Sequence, residues 1–320
     1  MRFSVIVLTY NPAVDKVIST LKSIISQDYD DYEIVISDDG SENNHFKEIK
    51  RYLDKKGFDR YVLVPHEKNQ GTVKNIISAL EHCSGELIKA FGPGDLLYCK
   101  NTLRELDDFF VTSGCEGCFG MLKGYYRNKN NEISFRYFEH PFDINAYRSE
   151  AKHGENEKLN QRMIKNLVLY SDNASGAATV FKKSYYLHYL KQIEDYVVYQ
   201  EDIFQVLAAL EERNFKIFDK YVVYYEMGDG VSTGTSQKFQ ELLRKDVDSF
   251  YNMLAKRFPD NKIVQKRKKL MVFYKIKNLY VRTILRSFAN PDAVRYLISS
   301  MEQKRKKRHR PEYQEKGFLG

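Results

Sequence analysis

AFGPGDLL, residues 90–97, decides how this chain is read. The apolar run ELIKAFG (86–92) stops at Gly92-Pro93-Gly94 and then presents a single carboxylate, Asp95. Gly and Pro cannot continue a buried strand or open an ordinary helix without a sharp turn. The chain therefore ends a strand here and holds Asp95 at its tip. Upstream, the same alternation repeats. SVIVLTY (4–10) and YEIVISD (32–38) are β-branched, apolar runs, and YVLVP (61–65) is a third. Between them, Val14, Val17, Ile18, Leu21, Ile24 and Ile25 recur at helical spacing over 14–27, and 45–56 and GTVKNIISALEHC (71–83) read as helices. Unbroken apolar strands alternating with helices predict a mostly parallel sheet covered on both faces. Such sheets bind ligands at the carboxyl ends of their strands.

Downstream, 99–112 is expected to be a helix, 117–127 and 133–138 strands, and the polar stretch 139–160 a mobile loop. ATVFKKSYY (178–186) reads as strand into helix, EDIFQVLAALEER (201–213) as a helix, and FKIF (215–218) and YVVYYE (221–226) as two strands. The loop MGDGVSTGTS (227–236) follows, and the chain is helical and basic from 237 onward. The expected organisation is an α/β domain over 1–235, with halves at 1–110 and 111–235, followed by a helical region over 236–320.

Composition narrows the function classes. The chain has 320 residues, 42% of them hydrophobic, enough for a substantial core. No run is long enough for a membrane span, and the opening MRFSVIVLTYNP is too short for a signal peptide, so a cytoplasmic protein is expected. Four cysteines fit a reducing compartment. Cys115 and Cys118 form a CxxC, but Cys83 and Cys99 do not complete a zinc site, and free thiols are expected. The net charge of +8 is uneven: residues 241–320 carry 21 Lys and Arg against 8 Asp and Glu. A basic tail on an acidic body suggests an anionic partner; a solvated helical face is the plainer alternative.

Several short stretches carry groups able to do chemistry. In SDDGSEN (37–43), Asp38 and Asp39 follow a strand directly. They could accept from a base N–H or a ribose hydroxyl, or simply build a turn, and taken alone the turn reading is stronger. In EKNQGTVKN (67–75), Gly71 and Thr72 open a helix whose free N–H groups favour an anion, with Lys68 and Lys74 nearby in sequence. An ordinary capped helix fits equally. SGAAT (175–179) offers Gly176 for close approach of the backbone to a ligand, or for tight packing at a strand start. GDGVSTG (228–234), with Gly230, Ser232 and Thr233, is either a ligand-binding loop or a plain connection.

Taken in order, SVIVLTYN, VISDDGS, NQGTVKN, LIKAFGPGDLL and the later Glu201-Asp202 resemble the family 2 glycosyltransferases with the GT-A fold, from residue 1 to about 230. The resemblance implies a Rossmann-like nucleotide-sugar-binding sheet. It makes Asp95 the last acid of a DxD-type motif that holds a divalent cation, Mn²⁺ or Mg²⁺, on the donor diphosphate. The motif's further acid is missing, since Pro93 and Gly94 stand in those places. A hard cation needs only one or two carboxylates when phosphate and water fill its shell. Thr9, Tyr10 and Asn11 would line the base end of the pocket, Asp38 and Asp39 would meet base and ribose, and Gly71, Lys74 and Asn75 would lie near ribose or sugar. An acid opposite the N3–H of uracil favours a UDP-sugar. Asp202 would be the base that deprotonates an acceptor hydroxyl in a single inverting displacement, with Glu201 beside it.

The basic segment KIVQKRKKLMVFYKIKNLYVRTILRSF (262–288) and the cluster EQKRKKRHR (302–310) suit an interfacial helix on an anionic inner leaflet. The combined expectation is a peripherally membrane-associated transferase that acts on a glycan or lipid-diphosphate-linked acceptor in capsular-type polysaccharide synthesis. A homodimer interface is another use for the tail. No motif supports nucleic acid. The competing reading is a GT-A-like binding subunit with weak or no turnover. A nucleotidyltransferase is disfavoured, because no Gly-rich, Arg/Lys-rich opening follows the first strand.

Overall fold

The computed structural model describes residues 1–127, 132–136, 141–147, 156–211, 214–228, 237–276, 278–294, 296 and 298. In chain order these form β1 (Phe3–Thr9), α1 (Val14–Ile25), β2 (Tyr32–Asp38), α2 (Phe46–Lys55), β3 (Tyr61–Pro65) and α3 (Thr72–His82). Then come β4 (Leu87–Phe91), β5 (Leu96–Leu97), α4 (Thr102–Ser113), β6 (Gly117–Arg127), β7 (Ile133–Arg136), α5 (Asn156–Tyr170), β8 (Thr179–Lys182) and α6 (Lys183–Ile193). The chain continues through α7 (Phe204–Leu210), β9 (Phe215–Glu226), α8 (Gln237–Arg257), α9 (Lys262–Met271) and α10 (Leu279–Ala289).

One sheet runs through the molecule in the order β3-β2-β1-β4-β8-β6-β9-β5, with β7 on β6. The first four strands are parallel, and so are β6 and β9. β8 is inserted antiparallel between β4 and β6 and joins the two halves. Successive strand residues face opposite sides of the sheet. Accordingly Phe3, Val5, Val7, Ile34 and Ile36 pack under α1, α2 and α4 with Val17, Leu21, Ile49 and Leu106. Ile6, Val35 and Ile88 pack on the other face with Ile76, Leu80, Tyr189, Phe204 and Phe250. The strands are apolar without a break because both faces are covered.

The register brings the expected motifs together. Thr9 pairs with Asp38, and Asp38 with Pro65. The loops after β1, β2, β3 and β4 thus leave one edge of the sheet side by side.

Three local expectations change. The stretch 139–160 is not all loop: a 3-10 turn occupies Ile144–Ala146 and α5 begins at Asn156. The helix is held by Met163, Ile164, Leu167 and Val168, a stripe at helical spacing that packs on the core. The two strands expected at 215–226 are one, β9, whose exposed Asp219 and Lys220 sit beside a register irregularity against β6. The helix expected over 201–213 opens as a 3-10 turn, Glu201–Ile203, before α7. The basic helices are partly interior as well. α8 buries Phe250, Tyr251 and Leu254. Arg267 on α9 is buried over the Tyr251 ring, and its Nη1 donates to the Leu169 carbonyl at 2.7 Å.

Candidate active site

At the end of β1, Thr9 Oγ1 donates to Asp38 Oδ2 at 2.8 Å. Asp38 is buried and also accepts from the Ser41 N–H at 2.8 Å and the Ser41 hydroxyl at 2.6 Å. Asn11, at φ +43°, donates its N–H to Ser41 Oγ and accepts from the Glu42 N–H with its side chain. The turn after β2 is therefore an Asx-type turn locked to the turn after β1. Gly40 sits at φ +77° against the backbone of Lys68 and Asn69, where a side chain has no room. Asp39 is buried and reaches the next loop. Its oxygens accept from the Gln70 N–H at 2.8 Å and the Gly71 N–H at 2.9 Å, at the start of α3. Burial pushes its pKa up, against the pull of those two amides.

The other nucleotide-side candidates separate. Tyr10, Asn11 and Lys74 are exposed on the same edge of the sheet. Asn75 is turned inward: it is buried, accepts from Ser37 Oγ at 2.5 Å, and donates to the Ser37 carbonyl at 3.3 Å. Its side chain is engaged by β2 rather than offered to a sugar. Gly71, at φ +91°, lies against Val198, whose carbonyl accepts from the Val73 N–H at 3.0 Å.

Asp95 stands at the tip of the β4–β5 turn, buried, with Oδ1 accepting from the Glu226 N–H at 3.0 Å. The turn is pinned from both sides: the Gly94 N–H donates to Thr20 Oγ1 on α1, and Tyr125 donates its hydroxyl proton to the Gly94 carbonyl. Burial raises the Asp95 pKa to about 7. Behind it lies Lys89, fully buried on the central strand β4, whose pKa burial lowers to about 7 while the Asp95 charge opposes that shift. Lys89 Nζ donates to the carbonyls of Ala177 at 2.5 Å and Ala90 at 3.2 Å.

The Ala177 contact leads to the second acid pair. Gly176, one residue earlier, faces Glu201: a Cβ there would collide with Glu201 Oε1. Asp202 follows in the same 3-10 turn, and its Oδ1 is sealed from solvent with no hydrogen-bond partner among the described residues. Burial drives both carboxyls well above the usual range, and the Asp202 charge pushes Glu201 further, while Asn173 eases Asp202. Two acids of raised pKa thus sit across a short backbone bridge, Gly176–Ala177, from the Lys89–Asp95 pair. Such raised carboxyls are the type that general-base chemistry near neutral pH requires.

Residues 4–183, more than half of the chain, match the family model described as glycosyl transferase family 2. The chain belongs to that family. It is a glycosyltransferase with the GT-A fold. The crystal structure of residues 1–349 of S. aureus TarS in complex with UDP-GlcNAc superposes with a TM-score of 0.54 at 21% identity, covering 79% of this chain and 67% of that one. The mannosyltransferase PcManGT from Pyrobaculum calidifontis, in complex with GDP-Man and Mn²⁺, gives 0.53 at 15% identity over 94% of this chain and 75% of that one. At these identities the likeness concerns the fold. No curated protein matches the chain in sequence.

Two anchors of this glycosyltransferase have no local signature in its sequence. Lys89 is a single charge within the apolar run ELIKAFG, with no motif around it to mark it. Asp246, on α8, is buried and accepts from three consecutive backbone N–H groups, those of Val198, Tyr199 and Gln200, just before Glu201. Only a carboxylate in mid-helix, on a buried face, could have hinted at it. Gly230, Ser232 and Thr233 lie outside the described residues. Among the described residues no group of three or more His, Cys, Asp or Glu is placed to hold a metal. Cys115 and Cys118 are buried free thiols.

Proposed function

We propose that this family 2 glycosyltransferase moves a sugar, with inversion, from a nucleoside-diphosphate sugar, UDP-sugar favoured, to a hydroxyl of a glycan or lipid-diphosphate-linked acceptor. The observation that carries this reading is the bridge just described: Glu201 against Gly176, Ala177 on Lys89, and Lys89 behind Asp95. It spans the distance between a candidate base and a candidate diphosphate site at one edge of the sheet.

Asp202 takes the proton of the acceptor hydroxyl as that oxygen forms its bond to the anomeric carbon. The bond from that carbon to the diphosphate oxygen breaks with its electron pair, and one displacement inverts the centre. Burial makes Asp202 a stronger base than an exposed carboxylate. Asp95 is the residue that would hold a divalent cation, Mn²⁺ or Mg²⁺, with donor phosphates and water completing the shell. When bound, the cation supplies charge stabilisation to the leaving diphosphate. Tyr10 and Asn11 flank the base end of the pocket.

The membrane role is read from α10. Tyr280, Val281, Ile284, Leu285 and Phe288 are exposed and fall on one helical face, and the same stretch of sequence carries Arg282 and Arg286. No helix among the described residues is long and apolar enough to cross a membrane. Lying on an anionic inner leaflet suits both the apolar face and the positive charge, and would place the enzyme at a lipid-linked acceptor of surface-polysaccharide synthesis.

The test is calorimetric titration with UDP, GDP and dTDP, followed by release of nucleotide from matching donor sugars. Binding of one nucleotide with slow donor hydrolysis is expected. Binding without any hydrolysis or transfer favours the alternative, a GT-A-like binding subunit. No binding to any of the three overturns the donor reading.

A further inference from the structure

We propose that Glu226 supplies the second carboxylate of the cation site, the one that the Gly92–Asp95 turn itself lacks. The inference rests on the donor-binding reading above and names a ligand that it leaves open.

The turn cannot provide that acid. Gly94 has φ +94°, a conformation that side chains rarely adopt. Pro93 fixes its own backbone and carries no polar group. The space in which a residue-94 side chain would sit is nevertheless filled by a carboxylate. A Cβ built on Gly94 would overlap Glu226 Oε2. The sheet explains why. β5 pairs antiparallel with β9, Leu96 opposite Tyr224 and Leu97 opposite Val223. Carrying that register two residues back sets Gly94 opposite Glu226. On the other side of β9, Glu226 is paired with Tyr125, whose hydroxyl holds the Gly94 carbonyl. The Glu226 main chain completes the arrangement by donating its N–H to Asp95 Oδ1. Two carboxylates, one from each half of the domain, are thereby brought to one turn.

The position also attracts positive charge. Lys16 Nζ on α1 lies 2.9 Å from Glu226 Oε2. An ammonium in that place is a counter-ion that a divalent cation on the donor diphosphate would displace. Two carboxylates with phosphate oxygens and water are a usual shell for Mg²⁺ or Mn²⁺. A site that keeps only two protein carboxylates should be weak for the free ion and tight once a diphosphate is present.

The test uses the full chain and Mn²⁺, read by the electron paramagnetic resonance signal of the free ion, with and without UDP; UDP affinity without metal is measured in parallel. Glu226→Gln is nearly isosteric. It is expected to weaken Mn²⁺ binding in the presence of UDP by at least about tenfold, close to the loss in Asp95→Asn, with metal-free UDP affinity unchanged. Lys16→Met, which removes the competing ammonium, is expected to tighten Mn²⁺. Mn²⁺ affinity equal in wild type and Glu226→Gln overturns the role of Glu226 and leaves the donor reading standing. A wild-type chain that binds neither UDP nor Mn²⁺·UDP overturns both.

Discussion

Asp246 Oδ2 accepts the backbone N–H of Tyr199 at 2.7 Å, and the same carboxylate takes the N–H groups of Val198 at 3.1 Å and Gln200 at 3.0 Å. One carboxylate from α8 therefore holds the segment that leads into Glu201 and Asp202. The Val198 carbonyl meanwhile accepts from Val73 in the first turn of α3. The strut ties the candidate base to the helix whose start Asp39 clamps. Replacing Asp246 by Ala strands three amides, and at about 1–3 kcal/mol for a buried unsatisfied group, partly relieved by water, a loss of about 2–4 kcal/mol is expected in urea unfolding. Hydrogen exchange over 198–203 should rise and turnover should fall. Asp246→Asn, which keeps one acceptor oxygen, should lose less of each. Unchanged exchange at 198–203 in the Ala variant would remove Asp246 from this role.

Gly176 separates a structural from a chemical use of Glu201. Its φ is not in the left-handed region, so Ala strains no backbone there. The added methyl meets only the end of the Glu201 side chain, which can swing away. Gly176→Ala is expected to change stability by less than about 1 kcal/mol, as for an ordinary mild substitution, while turnover drops because the Glu201 carboxylate is displaced. Gly71→Ala provides the contrast. At φ +91°, with the Val198 carbonyl and side chain against it, the variant should be strongly destabilised. Equal melting temperatures for the two variants would refute this distinction.

What the sequence made legible is local. The unbroken runs at 4–10, 32–38, 61–65 and 86–92 became β1 to β4 in a parallel set, because an apolar run bounded by turn residues carries its own information. The DDG turn was legible only as two alternatives. Asp38 closes its own turn and Asp39 clamps α3, and choosing between turn and ligand contact needs the neighbouring loop at 68–71. Glu226 and Asp246 were not legible. Glu226 meets Gly94 through a strand register set more than a hundred residues apart, and Asp246 meets Val198 through packing of α8 on the core. Neither relationship has a spacing rule along the chain. α5 was hidden by the polar stretch before it, although Met163, Ile164, Leu167 and Val168 already had helical spacing.

The exposed face of α10 should behave as an interfacial helix. A full chain carrying Tyr280→Ser, Ile284→Ser and Phe288→Ser loses the most exposed apolar groups of that face. Co-sedimentation with vesicles of phosphatidylglycerol is expected for the wild type, weakened by salt because surface attraction is screened over about 8 Å at physiological ionic strength. The triple variant should stay in the supernatant with its melting temperature unchanged. Equal sedimentation of both chains would leave the face without a membrane role.

The pH dependence follows from the burial of Glu201 and Asp202, and its sign is fixed. Both folded carboxyls are raised above their unfolded values, so the native state holds these protons more tightly than the unfolded chain. Their contribution to stability is full below the unfolded value, about 4, and is lost as pH rises through the raised folded values. Glu201→Gln cannot ionise, so its stability should fall less than the wild type's on going from weakly acidic to alkaline pH. Activity runs the other way. As the proposed base, Asp202 would act only when ionised, so kcat/KM should climb with pH along a limb above the ordinary carboxylate range. Asp202→Asn should erase that limb and lower turnover by about 10²–10⁴. Its affinity for the nucleotide should persist, because the candidate pocket residues Thr9, Asp38 and Asp39 are bonded to one another and not to residue 202. Near-normal turnover in Asp202→Asn would exclude it as the base and shift the assignment to Glu201, whose carboxyl is raised for the same reason.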